Sequence, residues 1–300
     1  MLKGLVGIRT SVCAAVSLGL AAFSINATAN HSWAGYHWAS KSSPFTLSLG
    51  DNLSSAWKPY LNTTSYDWKL SSVLDTVVVA GKTNPATCAP VKGRVEVCNA
   101  AYGSTGWLGI AQVWVSGTHI AQAITKLNDT YFNTASYNTP AWKNMVTCQE
   151  VGHTLGLDHQ DVTFGNANLG TCMDYTSNPA GPPSNEHPNK HDYDQLVTIY
   201  AHSDNATTAI QSTSAAAAQD LEQLPSAMTN LEFSRPDQWG RVIQSDSKGR
   251  PAKYELDFGG GRKIYTHVFW ADVTASDAES HDADHQGSEG NDSPRSARGF

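Results

Sequence analysis

Apolar and polar positions alternate through FTLSL (45–49), and apolar residues then recur at near-helical intervals at Trp57, Leu61 and Trp68. A β-rich run, VLDTVVVAG, follows up to Gly81. Alternation marks a half-buried strand and the longer spacing an amphipathic helix, so Pro44 to Gly81 reads as strand, helix, strand. RVEVC (94–98) predicts another short strand that closes a loop containing Gly and Pro. WLGIAQVWVSG and HIAQAITKLND read as two strands joined by a turn at Ser116-Gly117. Thr139-Pro140 supplies an N-cap followed by proline at the first helical position. Ala141, Met145, Cys148, Gly152 and Leu155 then form one inward stripe of a helix that Gly156 ends. A last helix is expected from about Asp192 to Ala201.

Composition divides the rest of the chain. Residues 203–230 are rich in Ala, Ser, Thr and Gln and read as a linker. In 231–271, WGRVIQ, KYELDF and KIYTHVFW alternate around SKGR and GGGR, which predicts a small β unit of hairpins. The acidic, polar stretch 272–300, with His281 and His285, is expected to be disordered. At the other end, Lys3 and Arg9 precede an apolar run that falls short of a membrane span, and Ala27-Thr28-Ala29 offers a small-residue cleavage site. Residues 1–29 thus read as a secretory signal peptide cleaved near Ala29, leaving 30–202 as the main domain. No further membrane span is expected.

Export alters how the cysteines are read. Cys13 lies in the signal peptide, and Cys88, Cys98, Cys148 and Cys172 remain in an oxidising setting where thiols pair. Three pairings are open; the nearest-neighbour one is preferred because Cys88 with Cys98, and Cys148 with Cys172, each bracket one local unit. The formal charge of −7, with no basic stripe, argues against nucleic acid as a partner and suits a free extracellular protein, expected to be a monomer. Sequons occur at Asn52 and Asn62, among others.

The chemistry gathers in CQEVGHTLGLDHQD, residues 148–161. Gln149 and His153 are four apart on the helix and face the same way, while His159 returns from the loop beyond Gly156. Catalytic zinc takes about three protein ligands and keeps a position for water. His153 and His159 fit such a set, with Gln149 through its amide oxygen as a weak or water-mediated third ligand. Glu150 sits beside it as general base, then general acid, for a water that attacks a carbonyl.

QEVGHTLGLDH resembles the HExxHxxGxxH signature of metzincin zinc proteases, and GTCMDY from Gly170 resembles their Met-turn. Gln149 stands where the signature has its first histidine; gametolysin-like metzincins carry the same QExxH. The resemblance spans roughly Pro44 to Ala201. It implies an α+β fold with a mixed twisted sheet, one catalytic Zn2+, and a protein or peptide substrate laid along LGIAQVWV as an edge strand, with a covered edge as the plainer alternative. It implies Met173 as hydrophobic support beneath the metal and Tyr175 as a group near zinc or on the oxyanion, with a buried structural tyrosine as the plainer alternative. A Cys148–Cys172 bond would tie the active helix to the Met-turn. His187 and His191 are further ligand candidates, expected instead in the specificity-loop region and at the last helix's N-terminus. Asp158 and Asp161 flank His159 as carboxylates that could orient its ring, as calcium ligands or as part of a solvated loop. Gln160 matches no familiar subfamily label. The expected function is a secreted zinc endopeptidase; the alternative is a catalytically impaired protein of this fold that binds extracellular proteins or glycans.

Overall fold

The structure, a computed structural model, describes residues 1, 31–210, 228 and 234–272. The expected signal peptide after residue 1, most of the expected linker, and the tail with His281 and His285 lie outside the described residues. The elements run β1 (His37–Trp38), β2 (Phe45–Asn52), α1 (Lys58–Trp68), β3 (Leu74–Ala80), β4 (Val95–Ala100), β5 (Trp107–Ser116), β6 (His119–Asn128), α2 (Asp129–Phe132), α3 (Pro140–Thr154), α4 (Lys190–Ile199), β7 (Arg241–Ser245), β8 (Pro251–Asp257) and β9 (Arg262–Trp270). The mixture is α+β. No helix among the described residues is long and apolar enough to cross a membrane.

Among the described residues one sheet carries all the strands, in the order β3-β2-β4-β6-β5-β9-β8-β7, with β1 pairing alongside β6. The β2, β3, β4 and β6 ladders are parallel, whereas those from β5 to β7 are antiparallel. This corrects two expectations. The strands within 231–271 are no separate β unit, because β9 pairs with β5 along Trp107–Ser116 and continues the main sheet. By the same pairing β5 is no edge strand.

The burial of β5 explains why both faces of LGIAQVWV are apolar. Leu108, Val113 and Val115 enter the core that holds Met145, Val146 and Val151 of α3. Ile110 and Trp114 join a second core with Trp239, Tyr254, Ile264 and the Cys88–Cys98 pair. With a register shift between Trp107 and Gly109, the strand thus buries apolar side chains on both faces, one set against α3 and the other against Trp239, Tyr254 and Ile264. Cys88–Cys98 and Cys148–Cys172 form disulfides. Asn52 is buried, its amide bonded to Glu96, so that sequon has no room for a glycan in the folded chain.

Helix α3 begins as its sequence predicts, with the Thr139 side chain accepting the Trp142 N–H and Pro140 in the first turn. Its far end is held by side chains from distant segments. The Trp33 indole donates to the His153 carbonyl, the Trp38 indole to Thr154 and the Tyr200 hydroxyl to Leu155. Carbonyls at a helix end run out of helical N–H partners; the His153 carbonyl also takes the Gly156 N–H at 3.1 Å, and the buried side-chain donors help fix the last turn without water. Gly156 follows at φ +97, where an added Cβ would meet the Tyr36 carbonyl oxygen at 2.4 Å. The backbone can therefore reverse here only with glycine.

Candidate functional site

Four of the residues singled out by sequence meet where α3 faces the 170–175 turn. Gln149 and Glu150 lie on the helix with no exposed surface, and His153 is equally buried one turn on. His159 arrives from the loop, bringing its Nε2 to 3.0 Å from His153 Nε2. His153 Nδ1 sits 2.8 Å from the Leu157 carbonyl oxygen and must donate to it, which leaves Nε2 with a bare lone pair.

The 170–175 turn braces this arrangement. Gln149 Nε2 donates to the Cys172 carbonyl at 2.7 Å, and the adjoining Cys148–Cys172 bond fastens helix to turn. Met173 packs under Gly152, where an added Cβ would lie 2.5 Å from its Sδ. Tyr175 places its ring 4.3 Å from that of His159.

Several buried atoms here lack hydrogen-bond partners among the described residues: Gln149 Oε1, both Glu150 carboxyl oxygens and His159 Nδ1. Orphaned acceptors in a dry interior are costly, so such a set points to a cation or water that completes it. Imidazole nitrogens around zinc stand about 3.3 Å apart if each is about 2.05 Å from a tetrahedral ion, close to the observed separation. The donor set of two imidazoles, an amide oxygen and a nearby carboxylate fits zinc.

Burial dominates the electrostatics. It pushes Glu150 well above the usual carboxylate range. It pushes His153 down to about 4, against an opposing bond to Leu157, and His159 well below its ordinary range, with His153 adding to the effect. Burial thus disfavours the charged form of all three groups in this low-dielectric pocket. A bound divalent ion would reverse that balance and favour the carboxylate.

One residue escaped the sequence reading. His267, on β9, stacks on His153 with ring centroids 4.1 Å apart and an interplanar angle of 18°. It has no exposed surface, and neither ring nitrogen has a hydrogen-bond partner among the described residues. A histidine within KIYTHVFW was the available signal, but nothing local in that string says it will lie beside α3. Its neighbour Val268 accepts the Tyr175 hydroxyl at 2.7 Å, so Tyr175 engages a backbone carbonyl of β9.

The remaining candidates have other partners. His187 pairs with Asp67 of α1 at 2.7 Å. His191 stacks on His31, and these two with Asp192 form a group that could hold a metal ion. Asp158 accepts the His159 N–H and pairs with Lys253 of β8. Asp161 accepts from Thr163 N–H and the Asn166 amide in its own turn. Gln160 donates its N–H to the Met173 carbonyl. No protein-family model matches the chain, and no curated protein matches it.

Proposed function

We propose that the chain is an exported zinc-dependent endopeptidase of metzincin type. The observation that carries this reading is the pair of facing Nε2 atoms of His153 and His159, 3.0 Å apart, beside the buried and unpartnered Glu150 carboxyl and Gln149 Oε1. Two disulfides suit an oxidising compartment.

Gln149, His153 and His159 would hold the ion. Bound there, zinc would supply Lewis acidity toward a water and toward the scissile carbonyl. Glu150 takes the proton of the attacking water and passes it to the departing amine, leaving a carboxylate and a free amino terminus. Tyr175 donates its hydroxyl to the carbonyl oxygen as charge builds there, in the manner in which it now donates to Val268. An extended peptide would pair with the β5 backbone, which gives affinity for many sequences.

Since β9 occupies that position, catalysis requires it to withdraw. The same observation favours a second reading, in which β9 closes the centre permanently and the protein acts by binding other molecules. Cleavage of an unstructured protein separates the two. The wild-type chain should cut it, lose activity to a chelator and regain it with zinc, while Glu150→Ala binds zinc and does not cut. Zinc-loaded wild type that never cuts would leave the second reading.

A further inference from the structure

A second convergence of metal-binding side chains lies away from Glu150. His37 comes from β1, His119 is the first residue of β6, and His202 and Asp204 follow α4. Asp204 Oδ1 stands 3.2 Å from His119 Nε2, 3.4 Å from His37 Nε2 and 3.5 Å from His202 Nε2. His37 Nε2 is 3.0 Å from His202 Nε2. The His37 ring meets those of His119 and His202 edge-on, at 85° and 88°.

The outer bonds of the group decide which atoms face inward. His37 Nδ1 lies 2.9 Å from the Gly35 carbonyl oxygen and must donate to it, so a neutral His37 turns a bare Nε2 toward the centre. Asp204 Oδ2 accepts the Ser40 N–H at 2.9 Å, which leaves Oδ1 for the centre. Lone pairs of His37 Nε2 and Asp204 Oδ1 then confront each other. Neutral His119 and His202 can each donate an Nε2–H into the group, whereas His37 cannot, so a cation at the centre relieves the His37–Asp204 contact. His37, His119 and Asp204 already bring one ligand atom each within 4.8 Å of one another, and His202 Nε2, 3.0 Å from His37 Nε2 and 3.5 Å from Asp204 Oδ1, has only to swing toward His119 to complete a tetrahedron whose edge is about 3.3 Å for ligands about 2.05 Å from zinc.

We propose that His37, His119, His202 and Asp204 form a structural zinc site. Three imidazoles and one carboxylate suit zinc's preference for N and O donors, and four protein ligands leave no open position for chemistry. The half-exposed His202 side chain gives the ion a route in. Bound zinc would clip the segment after α4 to β1 and β6, where backbone bonds such as Thr208 N–H to the Ala39 carbonyl already hold it. It would also steady Trp38, next to His37, whose indole caps the end of α3.

The test counts zinc in the purified full chain by elemental analysis after exhaustive dialysis. His153→Ala with His159→Ala should retain one tightly bound ion, and adding His202→Ala should weaken it by about 100-fold or more, as expected for loss of a ligand. Cobalt in the double variant should give the intense visible bands of a tetrahedral ion, absent once His202 is replaced. In the otherwise native chain, His202→Ala should bind one ion fewer than wild type. A double variant that folds without zinc, or equal zinc with and without His202, would overturn the site. Both results are independent of whether the chain cleaves peptides.

Discussion

A Cβ on Gly109 would lie 2.8 Å from Glu150 Oε1, 2.9 Å from its Cγ and 2.6 Å from Val146 Cγ1. Glycine on β5 is thus what lets the Glu150 side chain lie flat between helix and sheet. Gly109→Ala should move that carboxyl without touching His153 or His159. Overpacking of this kind costs about 1–3 kcal/mol of stability, and displacement of a catalytic group by about 1 Å costs up to about 100-fold in rate. The expected result is a folded chain with zinc content unchanged and kcat/KM reduced; unaltered kcat/KM would show that Glu150 has room to spare. At this scale much of the site was legible, because the spacing of Gln149, Glu150, His153 and His159 on one helix and its exit loop is a local property. Gly109 and His267 were not, since each matters only through a neighbour that the sequence does not specify.

Among the elements, the C-terminal strands show where local reading stops. Alternation and the glycine turns identified β7, β8 and β9 as strands, yet their attachment to β5 depends on pairing between segments far apart in the chain. Glu255 on β8 is central to this extension: it accepts from Arg241 on β7 and from Lys263 and Tyr265 on β9. Burial would raise its carboxyl, but the bonds from Lys263, Tyr265 and Arg241 outweigh burial and hold it at about 2, against an ordinary 4.5. The folded chain therefore keeps the charge at acidities where the unfolded chain has lost it. The resulting stability is present above pH 4.5 and is lost as pH falls from there toward about 2. Glu255→Gln should cost about 1–3 kcal/mol near neutrality, the range for bonds to a charged group. Denaturant melts at stepped pH should show the two proteins converging as pH approaches 2; a constant gap would mean the carboxylate is not the clamp.

Across the whole molecule, the central question is whether β9 leaves β5. Tyr175, Glu150, His153 and His267 have no exposed surface, so neither water nor a polypeptide reaches them while the strand is paired. The sheet offers a direct way to hold it. Ser116 and Arg262 are direct partners across the β5–β9 ladder. Antiparallel partners have Cα atoms about 4.5–5.5 Å apart, within the span of a disulfide. Ser116→Cys combined with Arg262→Cys should therefore form a bond that prevents withdrawal without entering the Glu150 site. With that bond closed, cleavage of an unstructured protein should fall to background while zinc stays bound. A mild reductant should restore wild-type activity, because Cys88–Cys98 and Cys148–Cys172 are buried and resist reduction. The same reductant should leave wild type unchanged. Full activity in the oxidised variant would mean that substrate reaches Glu150 with β9 in place, and the exchange of one strand for another would have to be abandoned as the route to the site.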